Sequence, residues 1–373
     1  MLIDVIAGAR PNFMKIAPII AAIEVQQKAG ADIHYRLIHT GQHYDKKMSA
    51  DFFEQLNIPT PHHNLEVGSG TQAEQAGRIM IGYEQLLMQQ PCDLCVVVGD
   101  VTSTMACSIA AKKMNNIKVA HVEAGIRSGD WTMPEEINRI VTDSITDYFF
   151  TTSEVANNSL RRSGVKEEQI FFVGNTMIDT LYRQMPRFIQ PEAWEKFGLT
   201  EKGYIIMTLH RPANVDNKEK LTELIGEIVN SSQGIPLVFP VHPRTAKMLE
   251  SAGISAPNLH VIEPLGYLEF NYLVKNAKAV ITDSGGITEE TTVMGIPCMT
   301  LRDSTERPET CTVGTNELVG TNPKAIPPAM ETLFSGNWKK GGIPEMWDGK
   351  TSPRIVAHIM QLFGVKQAES AIA

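Results

Sequence analysis

Several absences narrow the field before any motif does. No stretch approaches the roughly 20 consecutive apolar residues that span a bilayer, and the opening MLIDVIAG lacks the basic start and long apolar core of a secretory signal. A cytoplasmic protein is expected. Basic residues form no block: 34 Lys and Arg are interspersed among 42 Asp and Glu for a net charge of −8, so nucleic acid is not an expected partner. Five cysteines are too few for a disulfide framework. Cys92 and Cys95 form C-x-x-C, but inside CDLCVVVGD, at the entry to an apolar run, and Cys107, Cys298 and Cys311 supply no second ligand pair. All five read as small buried side chains, with no metal site. Neither G-x-G-x-x-G nor a Walker A loop occurs, so dinucleotide and ATP chemistry lack their motifs. An anionic substrate would have to be met locally, by Arg, His and backbone N–H groups.

What remains is an ordinary globular composition, 43% hydrophobic and 20% charged, on a chain of 373 residues that is long for one core. Apolar runs alternate with helix-length segments. The first half reads LIDVIA, IHYRLIHT, LCVVVGD, KVAHVEA, YFFTTS and QIFFVGN as strands, with helices between them; YIIMTLH, PLVFPVH, LHVIEP, AVITDS and PCMTLR form a second series. The runs are continuous rather than alternating, as parallel strands buried on both faces require. Polar, turn-rich FIQPEAWEKFGLTEKG separates the two series. The expected architecture is α/β: two Rossmann-like, doubly wound domains, residues 1–188 and 189–352, with a helix over 353–373 packing back on the first.

In such sheets ligands bind beyond the carboxyl ends of the strands. The unusual polar clusters lie at those ends: GARPN, GDVTST and HVEAG in the first half, LHRP, VHPR, EPLG and TDSGG in the second. Both sets are expected to face one interdomain cleft. Turn chemistry accounts for the glycines. It does not account for Arg10, Asp100, Glu123, His210 and His242 at the same edges. Ser284-Gly285-Gly286 follows a buried strand and opens a helix, so free N–H groups and the positive helix end can meet an anion. Glu290, one turn inside, can accept both hydroxyls of a ribose, and Arg302 and Arg307 add cations after the next strand.

Taken in order, GARP-x-x-x-K-x-AP, TGQH, GD-x-x-ST, HVEAG-x-R, MPEE-x-NR, HR, TDSGG-x-x-EE and R-x-x-TERPE make the chain resemble the non-hydrolysing UDP-N-acetylglucosamine 2-epimerases from residue 2 to about 365. The resemblance implies a GT-B arrangement of two Rossmann-like domains, a homodimer, no NAD and no required metal. It further implies a UDP-sugar substrate, UDP-GlcNAc interconverted with UDP-ManNAc for surface polysaccharide precursors. In that chemistry UDP leaves C1 as C2 loses its proton, a 2-acetamidoglucal forms, and UDP re-adds with a proton delivered to the other face. Matched by motif, Asp100, Glu123 and Glu135 become the acid–base candidates, with His210 beside the leaving group. Arg10, His242, Ser284, Gly285 and Gly286 become diphosphate contacts, and Arg307 a further cation. Glu290 becomes the ribose ligand, Phe270 a wall of the uracil pocket, and Lys15 a group that sits near the sugar or supports an acid.

Each acid also has a structural reading. Thr132 to Glu135 fits a capping box, Glu135 and Glu136 fit ion pairs with Arg139, and Asp100 fits a helix cap near Thr102. Glu136 and Asp130 are expected to be structural, Asp130 as a turn former. Glu123, costly to bury alone, is expected to pair with His121 two residues back on the same strand face. His62 and His63 read as a solvated pair in a polar loop. Two departures from relatives stand out: Ala9 and Asn12 replace the Thr and Glu of G-T-R-P-E, and QHYDKK and SGTQ lack the arginines of the substrate-activated branch. The alternatives to the epimerase are a 2-epimerase of a UDP-diacetamido-uronic acid, a GT-B glycosyltransferase, and a sugar-nucleotide binding protein without chemistry.

Overall fold

The structure, a computed structural model, describes residues 1–41, 55–114, 116–241 and 243–366. The chain divides into two compact units, Met1–Arg183 with the return segment from Glu345, and Gln184–Pro344.

The N-terminal unit is built on β1 (Leu2–Ala7), β2 (His34–His39), β3 (His63–Asn64), β4 (Leu94–Val98), β5 (Lys118–Val122), β6 (Tyr148–Thr151) and β7 (Ile170–Phe172). Every pairing is parallel, in the order β3-β2-β1-β4-β5-β6-β7. The order reverses between β1 and β4, which is where an open α/β sheet parts to admit a ligand. Helices α1 (Arg10–Lys28), α2 (Gln72–Gln89), α3 (Thr102–Lys113) and α4 (Pro134–Ile145) cross over between strands, and α5 (Thr176–Gln184) follows β7. Pro18 lies inside α1 and has no N–H for the Met14 carbonyl; the Thr180 hydroxyl of α5 donates to that carbonyl instead. Cys92, Cys95 and Cys107 are buried in this unit, and burial pushes their thiols up. Among the described residues no group of His, Cys, Asp and Glu forms a metal cluster. No helix among them is long and apolar enough to cross a membrane.

The C-terminal unit repeats the plan. Strands β8 (Ile205–Thr208), β9 (Leu237–Pro240), β10 (Leu259–Ile262), β11 (Ala279–Thr282), β12 (Cys298–Thr300) and β13 (Asn316–Leu318) lie in the order β10-β9-β8-β11-β12-β13, all parallel, with the reversal between β8 and β11. Alternate strand residues serve opposite faces. Ile205, Met207, Phe239 and Ile281 join α6 (Lys218–Ser231), while Ile206, Val238 and Val280 join Leu273 and Val274 of α7 (Tyr267–Asn276). That two-sided demand is why these strands read as unbroken apolar runs. Behind β11 runs α8 (Gly285–Met294), and α9 (Ile326–Phe334) adds Ile326, Met330 and Leu333 to the first of these clusters.

The return segment docks on the N-terminal unit through polar anchors as well as apolar ones. Buried Trp347 donates from Nε1 to the Thr152 carbonyl at 3.1 Å, and Asp179 accepts from the Thr351 and Ser352 amides at 3.0 and 2.6 Å. Those are orphan N–H groups at the start of α10 (Thr351–Leu362), which contacts α1.

Candidate functional site

In the N-terminal unit β1, β4 and β5 end level with one another, so Gly8, Gly99 and Glu123 each begin the turn beyond the sheet. Gly99 and Glu123 both take positive φ, 68° and 70°. Gly99 does so freely; for Glu123 this backbone costs on the order of 1 kcal/mol or more, which the surroundings must offset. The offset is visible. Buried Glu123 accepts from Lys15 Nζ of α1 at 2.6 Å, and the space that a Cβ on Gly99 would fill lies against that Lys15 nitrogen. Asn12 closes the same corner: its Oδ1 accepts from the Gly8 and Ala9 amides and its Nδ2 donates to the Val98 carbonyl at 2.9 Å. Asn12 is thus the clamp of the GARPN loop. Arg10 opens α1 at this edge.

His121 is not the partner of Glu123. The strand alternation stops at Val122 because Glu123 turns into the left-handed region, and the two side chains part. His121 Nδ1 instead meets Asp143 Oδ1 at 2.7 Å and its Nε2 meets the Gly99 carbonyl at 2.8 Å. Asp143 also accepts from the Gly125 amide and pairs with Arg127 at 2.7 Å. Burial alone would raise the Asp143 carboxyl, but His121 and Arg127 hold it below its ordinary value. Sequence reasoning passed over Asp143 and Arg127. The signal was present as polar residues at helical spacing: α4 turns Glu136, Arg139 and Asp143 inward and leaves Ile137 exposed.

The acids of α4 have divided roles. Thr132 does not cap the helix; its amide and hydroxyl both turn to Asp130, a turn former, and the N-cap is Met133. The capping-box reading of Glu135 therefore fails, and Glu135 is half-buried. Glu136 does the structural work, accepting from the Ser128 and Gly129 amides at 2.9 and 3.0 Å and from Arg139 at 2.9 Å. Burial would raise its carboxyl, and these donors hold it below the ordinary value. Asp100 is no helix cap either: Val101 occupies the N-cap of α3, and the Asp100 carboxylate pairs with Arg139. The Asp100 carbonyl accepts from Asn138 at 2.8 Å, so α4 and the end of β4 are tied together.

In the C-terminal unit Thr208 and Thr282 are partners at the ends of β8 and β11, their hydroxyls 2.6 Å apart. Directly beyond them lie His210 and Asp283. His210 Nδ1 is 2.8 Å from Asp283 Oδ1, across the switch point of this sheet. Ser284 is the N-cap of α8 with no side-chain cap bond; its own amide donates to Thr282 Oγ1 at 3.0 Å, so Gly285 and Gly286 supply the helix-terminal N–H groups. Within α8, buried Glu290 accepts from the Tyr267 hydroxyl of α7 at 2.7 Å, and burial pushes its carboxyl up to about 7. Phe270 packs half-buried against the apolar cluster beside α7. The two arginines already have internal partners: Arg302 makes two contacts with Glu306, at 2.7 and 2.8 Å, and Arg307 pairs with Glu289. They brace the loop after β12, so any contact with an anion falls to their remaining N–H groups.

His242 lies outside the described residues, as do Gln42 to Lys47 of QHYDKK. In SGTQ the Ser69 carbonyl accepts from Arg78 at 2.8 Å, a cation that matching by position overlooked. His62 is more than solvated, since its Nδ1 accepts from the Leu37 amide at 3.0 Å, and His63 belongs to edge strand β3.

Two parallel sheets, each with its polar residues gathered at the switch point, define a doubly wound α/β protein of the nucleotide-binding kind. A family model, UDP-N-acetylglucosamine 2-epimerase, matches residues 25–360, and the chain belongs to that family. The UDP-N-acetylglucosamine 2-epimerase of Methanocaldococcus jannaschii is 42% identical over 368 residues, 95% of this chain and 98% of the relative. A crystal structure of the Methanocaldococcus jannaschii UDP-GlcNAc 2-epimerase in complex with UDP-GlcNAc and UDP aligns with a TM-score of 0.84, covering 97% of this chain and 100% of that one. The UDP-2,3-diacetamido-2,3-dideoxy-D-glucuronate 2-epimerase of Pseudomonas aeruginosa is 37% identical over 368 residues, 97% of this chain and 100% of the relative.

Proposed function

We propose that this protein interconverts UDP-GlcNAc and UDP-ManNAc by eliminating UDP to a 2-acetamidoglucal and adding it back. The observation that carries the reading is the strained, buried Glu123 held on Lys15, one residue past β5 and beside Gly99-Asp100. A proton α to no carbonyl leaves C2 only if a positioned base takes it as the C1–O bond breaks, and a second acid must serve the opposite face. Asp100, Glu123 and Glu135 are assigned these transfers. The departing diphosphate needs stabilisation as its charge develops. Arg10, His210, His242, Ser284 and the amides of Gly285 and Gly286 are assigned to it, with Arg307 a further cation. Glu290 takes the ribose hydroxyls and Phe270 flanks the uracil. The protein works as a cytoplasmic homodimer in supplying surface polysaccharide precursors.

Proton NMR of UDP-GlcNAc with the enzyme in D2O tests the reading. Deuterium is expected at C2 of both epimers, with the UDP linkage intact at equilibrium. Epimerisation without exchange rules out elimination, and free ManNAc as the main product would mean hydrolysis. The 37% identity to the Pseudomonas aeruginosa enzyme favours one second reading, a UDP-diacetamido-uronic acid as substrate. Parallel assays of both UDP-sugars decide between them by kcat/KM.

A further inference from the structure

We infer that Asp283 is the positioning residue of His210: it fixes the ring's tautomer and leaves Nε2 as the atom presented to the ligand. The inference builds on the assignment of His210 to the leaving group, but its first test does not depend on that assignment.

Asp283 stands at the end of β11 and is fully buried, whereas His210, at the end of β8, has a side chain 62% exposed. An exposed imidazole has little packing to hold it, so its orientation must come from its polar contacts. The contact is the 2.8 Å approach of Nδ1 to Asp283 Oδ1. A carboxylate accepts only, so Nδ1 carries the hydrogen. In the neutral ring that leaves a lone pair on Nε2, and in the protonated ring a second N–H there. Either form directs Nε2 away from the protein core.

The carboxylate is itself immobilised. It accepts from the His210 amide at 3.1 Å, the Arg211 amide at 3.0 Å and Asn214 Nδ2 at 3.0 Å, while Arg211 Nε donates to the Asp283 carbonyl at 3.2 Å. Burial alone would raise the Asp283 carboxyl; the donors, His210 first among them, hold it below its ordinary value. A loop staple would need only the amides and Asn214. The ring contact is additional, and it sets which ring nitrogen is left for a ligand. The arrangement, a carboxylate on Nδ1–H with Nε2 turned outward, is the one by which the acid of a catalytic triad orients its imidazole.

The test uses the whole protein with 15N-labelled histidine, the His210 resonances being identified by their loss in His210→Gln. At a pH where the ring is neutral, Nδ1 is expected to show the shift of a protonated nitrogen and Nε2 that of an unprotonated one. The reverse pattern, or averaged shifts from mixed tautomers, overturns the inference. Asp283→Asn, checked for native circular dichroism, is expected to move the ring to mixed tautomers and lower kcat about 10²-fold or more with little change in KM. Unchanged tautomer in that variant also overturns it. If the variant does not fold, the wild-type spectrum still decides. A fixed tautomer whose loss leaves kcat intact keeps Asp283 as positioning residue and removes His210 from the leaving-group role.

Discussion

Lys15 Nζ lies 2.6 Å from Glu123 Oε2, joining the first helix to the turn after β5 in a pair that solvent barely reaches. The pair gives a buried carboxylate in a strained turn a cationic partner. Glu123→Gln keeps the shape and can still accept from Lys15, so the fold should persist. Turnover should fall by about 10²–10⁴-fold, the usual scale for a positioned acid or base. The dissociation constant for UDP, measured calorimetrically, should hardly move, because Glu123 is assigned to the sugar and not to the nucleotide. A Gln variant with full turnover would return Glu123 to a purely structural role.

Glu135 and Glu136 are neighbours with opposite expectations. Glu136 serves two backbone amides and Arg139, and charge-assisted bonds of this kind contribute about 1.5–3 kcal/mol. Glu136→Gln should therefore lower the melting temperature by several degrees. Glu135 caps nothing, so Glu135→Gln should leave melting nearly unchanged while turnover drops by about 10²–10⁴-fold. Thermal melts beside initial rates on both variants separate the two residues. Equal losses in the two measurements for both variants would contradict the division.

The sequence made the strand series and the positions of the polar edges legible, because buried parallel strands leave unbroken apolar runs and ligand-binding turns follow them. It did not make β3 or β13 legible, since His63-Asn64 and Asn316-Glu317-Leu318 are edge strands with no apolar run to read. It misdirected the partner of Glu123 for a local reason: alternation predicts side-chain direction only while the backbone stays extended, and Glu123 leaves that region. Asp143 and Asp283 were missed because buried acids that orient other groups look like ordinary helix or turn residues until their hydrogen bonds are seen. The inward polar stripe of α4 escaped for a related reason, since amphipathic patterns are read with the apolar side in.

Away from the carboxyl edge, the N-terminal sheet holds a second buried pair. Arg36 donates to both oxygens of Asp4, from Nε at 2.7 Å and Nη2 at 2.8 Å, and Tyr83 adds its hydroxyl at 2.9 Å. Removing one partner strands a buried charge, so Arg36→Met should cost about 3–5 kcal/mol by urea unfolding. The double variant Asp4→Val, Arg36→Met should recover most of that loss. Neither should change KM, because Asp4 lies before the last residues of β1 rather than in the turn beyond it. A change in KM at full occupancy of the folded state would show that this pair communicates with the site.

Glu290 makes stability depend on pH in a direction opposite to that of most carboxylates. Burial moves its carboxyl from 4.5 to about 7 in the folded protein, and the Tyr267 hydroxyl only partly opposes that rise. The folded state therefore binds this proton more tightly than the unfolded state does. The corresponding stability is fully present below about pH 4.5 and is lost as pH rises toward 7, after which no further change is due to this group. The whole effect is on the order of 3 kcal/mol. Glu290→Gln has no proton to lose, so its melting temperature should fall less than that of the wild type between pH 5 and pH 8. Taking the difference between the two proteins at each pH cancels the other titrating groups they share. UDP-ribose hydroxyls require an acceptor, so saturating UDP-GlcNAc should bind the ionised form and shrink the wild-type decline between pH 5 and pH 7. Parallel curves for the two proteins without ligand would show that Glu290 is ionised throughout, and would remove the proton from its account.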